Sequence, residues 1–70
     1  MERLRVTSSM INSVGYDPTE LILEVEFLNG RIYQYLDVSL ELYESLMSSS
    51  SLGKSFNSLL KNQGFEHRQV

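Results

Sequence analysis

Leu21-Ile22-Leu23-Glu24-Val25-Glu26-Phe27-Leu28-Asn29-Gly30-Arg31-Ile32-Tyr33-Gln34-Tyr35-Leu36 is the stretch whose reading decides the fold. Leu21, Leu23, Val25 and Phe27 alternate with Ile22, Glu24 and Glu26. Successive side chains on a strand point to opposite faces, so this pattern predicts a half-buried strand. Asn29-Gly30 signals a hairpin, because both residue types tolerate positive φ. Arg31 to Leu36 is then the return strand, with Tyr33 and Tyr35 on one of its faces. Such a tyrosine pair is either half of a core or an aromatic surface for a ligand.

Two registers are open, and they differ by one loop residue. A two-residue Asn29-Gly30 turn sets Val25 against Gln34 and places Tyr33 and Tyr35 opposite Glu26 and Glu24 on the polar face. A three-residue loop, Leu28-Asn29-Gly30 with Gly30 left-handed in a bulge, sets Phe27 against Arg31, Val25 against Tyr33 and Leu23 against Tyr35. A one-residue slip flips every side chain. The second register is preferred, because Leu23, Val25, Phe27, Tyr33 and Tyr35 then form one continuous face for helices to cover. In that case the tyrosines are packing residues whose hydroxyls reach the sheet edge or solvent.

Outward from the hairpin, Asp17-Pro18-Thr19-Glu20 reads as a turn, with the Asp side chain accepting from the backbone two residues on. A strand is predicted near Ile11 to Tyr16, and Gly15 within it suggests a bulge or a close backbone approach. After the hairpin, Leu40, Tyr43 and Met47 keep helical spacing, with Asp37 or Ser39 as the cap. This helix ends in the run Ser48-Ser49-Ser50-Ser51. A second helix follows on Leu52, Phe56, Leu59 and Leu60, starting at Lys54 if Gly53 weakens its first turn. Asn62 and Gly64 are its stop signals. Phe65 to Val70 is read as a short final strand, since its apolar ends would otherwise stand in water. The sum is a two-layer α+β domain over residues 1–70: a small antiparallel sheet of three strands, with a possible fourth at the C-terminus, packed by two short helices in the order β-β-β-α-α(-β).

Seventy residues make one domain, which buries about 60% of the surface its unfolded chain exposes. The chain is 41% hydrophobic and 21% charged, as in a folded globule. There is no cysteine, hence no disulfide framework and no thiolate metal site. No apolar run approaches the roughly 20 residues of a membrane span. Met1-Glu2-Arg3-Leu4-Arg5 does not lead into the apolar region of a secretory signal, so the expected location is cytoplasmic. The net charge of -3 argues against a duplex-DNA binder. The bases are Arg3, Arg5, Arg31, Lys54, Lys61 and Arg68, most of them toward the two ends of the chain. They form a patch only if the fold brings the ends together, and otherwise read as scattered solubilising charge.

Nothing in the chain builds a catalytic site. The single histidine, His67, sits in the tail beside Glu66 and Arg68 and reads as solvated. The serines have no evident base partner. Glu24 and Glu26 share a strand face, but acid–base work needs burial to separate their pKa values, and alternation points both toward water. No phosphate loop, metal-ligand cluster or dinucleotide fingerprint is present, so catalytic residues, metal and cofactors are all read as none.

Several of these segments resemble one family. Val6-Thr7-Ser8-Ser9-Met10-Ile11 with Val14-Gly15-Tyr16-Asp17 resembles the opening of the KTSC domain, named for the C-terminal domain of some lysyl-tRNA synthetases. Leu23-Glu24-Val25-Glu26-Phe27, Asn29-Gly30 and Tyr33-Gln34-Tyr35 resemble its centre, with a Y-x-Y motif. Val38, Tyr43, Leu46 and Ser50-Ser51-Leu52-Gly53-Lys54-Ser55-Phe56-Asn57 resemble its helical end. The chain departs from the family at Ser39, where proline is common, and at Ser55, where an aromatic is common. If that aromatic served a ligand, part of the site is missing here.

The resemblance implies a small bacterial module, found alone or fused to a tRNA synthetase, with no activity to carry over and RNA as its suggested partner. On that reading Tyr33 and Tyr35, if exposed, stack on unpaired bases at about 1–3 kcal/mol per base. Glu24 and Glu26 would then flank them and repel phosphates. A phosphate site is better sought at Arg31, Lys54, Lys61 and Arg68, with the Ser50 to Asn57 loop, the second helix's N-terminus and Asn57 as its cradle. The alternative is a protein partner, or a second copy of the chain, added to an exposed sheet edge.

Overall fold

In a computed structural model, which describes residues 2–58 and 64–70, the chain forms one antiparallel sheet with two helices on one face. The strands are β1 (Leu4–Arg5), β2 (Ile11–Asp17), β3 (Ile22–Phe27), β4 (Ile32–Tyr35) and β5 (His67–Gln69), and the helices are α1 (Leu40–Met47) and α2 (Leu52–Phe56). The strand order is β1-β2-β3-β4-β5, so the sheet is a meander whose last strand returns after the helices to pair with β4. The fold is α+β, as the sequence predicts, with two corrections. The sheet has five strands, because Leu4–Arg5 adds a strand on the β2 edge that two polar-flanked residues do not advertise. The first turn of α2 includes Gly53, which is buried, and a Cβ there would lie 3.2 Å from Met10 Sδ.

The central hairpin takes the three-residue loop. Phe27 N–H donates to Arg31 O at 2.9 Å, and Gly30 N–H donates to Phe27 O with Gly30 at φ 88°. Leu23 pairs with Tyr35 and Val25 with Tyr33, so both tyrosines join the apolar face. At the other end of β3, Asp17 Oδ1 accepts from Thr19 N at 2.9 Å and Glu20 N at 3.2 Å, closing the turn from β2.

Ile11 and Val14 are three apart, a spacing that puts them on opposite faces of a regular strand. A register shift between Ile11 and Ser13 turns both inward, while Asn12 and Ser13 bond Glu26 on the other face. The irregularity therefore lies at Asn12. Gly15 instead serves a close approach: a Cβ there would stand 2.5 Å from the Glu2 carbonyl oxygen.

The core joins Ile11, Val14, Leu23, Val25 and Tyr35 of the sheet to Val38, Leu46, Leu52 and Phe56. Phe56 is fully buried and meets Phe27 and Tyr35 edge-on, at 5.4 and 5.3 Å between ring centroids. Ser39 caps α1 by accepting from Leu42 N, and Tyr16 stacks on Tyr43 of that helix at 4.5 Å and 8°. Tyr16 also donates to Val38 O at 2.6 Å; burial, with Asp17 beside it, raises its phenol pKa.

Candidate functional site

The two faces of the sheet hold different chemistry. On the outer face Arg3 reaches over Gly15 and donates to Ser13 Oγ at 2.9 Å and to Glu24 Oε2 at 2.6 Å. Gln34 Nε2 donates to the other Glu24 oxygen at 2.8 Å, and Arg68 Nε donates to Gln34 Oε1 at 2.9 Å. A polar chain thus crosses the sheet from the N-terminal segment to β5. Burial raises the Glu24 pKa, but the hydrogen bonds from Gln34 and Arg3 and the Arg3 charge outweigh it and hold the carboxyl below its ordinary value. Glu26 is likewise lowered, chiefly by hydrogen bonds from Asn12 and Ser13. Alternation predicts both glutamates in water; Glu24 is in fact only 7% exposed, because the N-terminal segment lies across it.

On the inner face Phe56 of α2 packs on Tyr35, which is nearly buried, and toward the hairpin end the described residues leave a concavity. There a groove of about 650 Å³ is lined by Met10, Phe27, Asn29, Arg31, Tyr33, Tyr35, Gly64, Phe65 and His67. Strand alternation supplies its floor: Arg31, Tyr33 and Tyr35 share a face of β4 and its turn, and His67 opposes Tyr35 on β5. Tyr33 meets Phe27 at 77° and 5.8 Å and His67 at 61° and 5.9 Å. Its hydroxyl donates to Gln69 Oε1 at 3.4 Å. The Asn29 side chain accepts from Arg31 N at 3.0 Å, which shapes the turn beside the groove.

The paired tyrosines therefore part company. Tyr35 is 5% exposed, and burial, with Tyr33 nearby, raises its pKa. It is a core residue at the groove floor, packed by Phe56 and His67, and at that exposure its ring offers no face for a base to stack on. Tyr33 is half-buried and borders the opening. Arg31 lines the same groove and makes no ion pair among the described residues.

The remaining site candidates do not gather around it. Arg68 faces the opposite side of the sheet, engaged by Gln34. Lys54 is exposed on α2, and Asn57 packs its amide 3.9 Å from Met10 Sδ, behind one groove wall. Lys61 lies outside the described residues. The α2 N-cap, Ser51, makes no side-chain capping bond. The two edges of the meander carry the terminal strands, so the fold does not bring the chain ends together.

Sequence reasoning missed Met10, Phe65 and His67 as groove residues. His67 is solvent-exposed, as a tail residue should be, yet its ring packs on both tyrosines, tilted 33° from Tyr35 at 5.4 Å. The available signal was the final strand: once it pairs with β4, alternation brings His67 to the tyrosine face. No group of three or more His, Cys, Asp or Glu that could hold a metal occurs among the described residues. No helix among them is long and apolar enough to cross a membrane.

The family model of the KTSC domain matches residues 7–65, which include both the hairpin and α2. The chain belongs to the KTSC family. A crystal structure of a KTSC domain protein from Yersinia pestis superposes with a TM-score of 0.93 at 38% identity, covering 99% of this chain and 96% of that one. An uncharacterized protein of Stutzerimonas stutzeri is 40% identical over 70 residues, the whole of this chain and 99% of that protein. A lysine–tRNA ligase of Nostoc sp. is 36% identical over 67 residues, which are 96% of this chain but 12% of the ligase. The KTSC domain is thus a unit that stands nearly alone in some proteins and is a small part of a much larger enzyme in others.

Proposed function

We propose that this KTSC domain is a non-catalytic module that contacts RNA through the inner-face groove. The observation that carries the reading is the pairing of an aromatic-lined concavity with an arginine uncommitted among the described residues. Aromatic side chains take up unpaired bases whatever their identity, and a guanidinium meets the adjoining phosphate. The sequence-level objection, that Glu24 and Glu26 would repel phosphates, loses its force here. Both carboxylates lie on the opposite face and are engaged by Arg3, Gln34, Asn12 and Ser13. Occurrence of the domain within a lysine–tRNA ligase supports RNA as the partner.

The test is titration of the chain with tRNA and with an unstructured RNA oligonucleotide at two salt concentrations. Binding should weaken as salt rises, and Tyr33→Leu should weaken it at both. Absence of binding at low salt would overturn the RNA reading.

A second reading rests on β5. Val70 N donates to Ile32 O, and Leu36 N donates to Glu66 O, so residues 66, 68 and 70 face β4. The backbone groups of His67 and Gln69 then point off the edge, where a partner strand could add. Amide shifts confined to β5 on adding a protein, with none on adding RNA, would favour it.

A further inference from the structure

Resting on the RNA reading, we infer that the groove is a one-nucleotide site, taking a single unpaired base together with one phosphate held by Arg31. Three observations define that occupant. The first is size: about 650 Å³ falls within the roughly 300–1,000 Å³ of small-molecule sites, and its lining takes in Asn29 and Arg31 of the hairpin turn together with Gly64 and Phe65.

The second is the setting of the rings. Tyr16 and Tyr43 show what a closed aromatic pair looks like here, parallel to 8° with centroids 4.5 Å apart and no space between them. Around the groove, Tyr33 stands at 77° to Phe27 and 61° to His67. These edge-to-face contacts are themselves packed, like those of Phe56 in the core; room for an occupant lies in the groove whose walls Phe27, Tyr33 and His67 form together. A planar, apolar-faced group fits such walls, and every base presents such a face.

The third is charge. Arg31 is the cation lining the groove among the described residues, whereas Arg3 and Arg68 are engaged on the other face. A domain of net charge -3 attracts no long polyanion to its surface at large. One guanidinium meets one phosphate. The fixed polar groups at the rim are few: Asn29 Oδ1 is occupied by Arg31 N, and His67 Nδ1 faces Phe65 O at 3.4 Å. The site therefore discriminates weakly among bases.

The experiment is amide chemical-shift titration of the full chain with adenosine, adenosine monophosphate, cytidine monophosphate, and RNA oligonucleotides of three and six residues. The monophosphates should shift amides of Arg31, Tyr33 and His67, and adenosine should bind more weakly than its monophosphate. Oligonucleotide affinity should rise only in proportion to the number of nucleotides on offer. The slope of log K against log salt should be about -0.7, the value for one phosphate of a single strand. Arg31→Gln, a change at an exposed turn position, should bring that slope toward zero and equalise adenosine with its monophosphate. If the hexanucleotide binds with a slope of three or more phosphates and mononucleotides shift nothing, the one-nucleotide site is wrong while RNA binding stands. Mononucleotide shifts at the groove without any binding of RNA keep the site and remove the RNA reading. Shifts that fall only on β1, or that survive both Arg31→Gln and Tyr33→Leu, overturn the inference.

Discussion

The two faces of one sheet, built from the same strands, reach opposite outcomes. The outer face is polar and closed: Arg3, Ser13, Glu24, Glu26, Gln34 and Arg68 bond one another, and the described residues leave no buried side-chain polar atom without a partner. The inner face is apolar, with a groove at one end among the described residues: Phe56 packs on Tyr35, which is nearly buried at the groove floor, and Tyr33, two residues away, is half-buried at its border. The difference teaches where this small domain spends its charges. On the polar face Arg3 and Arg68 are engaged by Ser13, Glu24 and Gln34, whereas Arg31, beside the groove, makes no ion pair among the described residues.

The largest expected effect breaks the inner face. Phe56→Ala removes a fully buried ring from the junction of Phe27 and Tyr35. Such truncations cost about 3–5 kcal/mol, comparable to the whole stability of a domain this size at roughly 0.05–0.15 kcal/mol per residue. Urea unfolding should show a greatly lowered midpoint or no cooperative transition. A loss below about 1 kcal/mol would mean that Phe56 does not seal the core.

Gly15→Ala attacks the outer face without touching a charge. The new methyl would stand 2.5 Å from the Glu2 carbonyl oxygen and 3.0 Å from Arg3 Cγ, so the N-terminal segment must lift. Overpacking of this kind costs about 1–3 kcal/mol. Hydrogen exchange should show faster amides in Leu4–Arg5, with the helices protected as before; unchanged β1 protection would contradict the close approach.

Acid offers a graded version of the same break. Glu24 and Glu26 both titrate below their ordinary value of 4.5 in the folded state. Between the folded and unfolded values the unfolded chain binds more protons, so stability rises with pH there. The stabilisation is complete above the unfolded value and is lost as pH falls through the folded ones. Glu24→Gln should lower stability at pH 7 by on the order of 1 kcal/mol, at the low end for a hydrogen bond to a charged group because Arg3 is a quarter exposed. It should also flatten the acid limb of the stability–pH curve. An acid limb identical to that of the parent chain would show that Glu24 is not held as described.

The smallest expected effect on stability sharpens the contrast within the Y-x-Y motif. Tyr33→Phe removes only a 3.4 Å hydrogen bond to Gln69 at the surface, and the change should lie within about 0.5 kcal/mol. Tyr35→Ala, at 5% exposure beside Phe56, should cost several times more. Equal losses from truncating either tyrosine to alanine would erase the distinction between floor and rim.

Much of the fold was legible because it rests on local periodicity. The β3 alternation from Leu23 to Phe27, the Asx turn at Asp17 and the Ser39 cap each express a short-range rule and are found where expected. Leu21, by contrast, stands in the turn at φ 58°, and α1 buries Leu46 while Leu40 stays 49% exposed. The final strand also forms, though only half of the reason for expecting it holds: Phe65 packs against the core, while Val70 stays 60% exposed. What escaped was non-local. Leu4–Arg5 is a strand only because β2 offers it an edge, and Ile11 and Val14 reach one face only through an irregularity at Asn12. Of the site, Tyr33 and Arg31 were named, but His67 and Phe65 enter the groove through a pairing formed by residues more than thirty positions apart in the chain.

The sequence by itself determined the α+β class, the KTSC family and a choice between two hairpin registers, because alternation, caps and turn residues act within a few positions. The tertiary structure decided which tyrosine is core and which is rim, and which arginines are engaged. Burial and ion pairing are properties of what packs across a face. The segments that do so here, Glu2–Arg3 over Glu24 and Phe56 against Tyr35, lie about twenty residues from their targets along the chain.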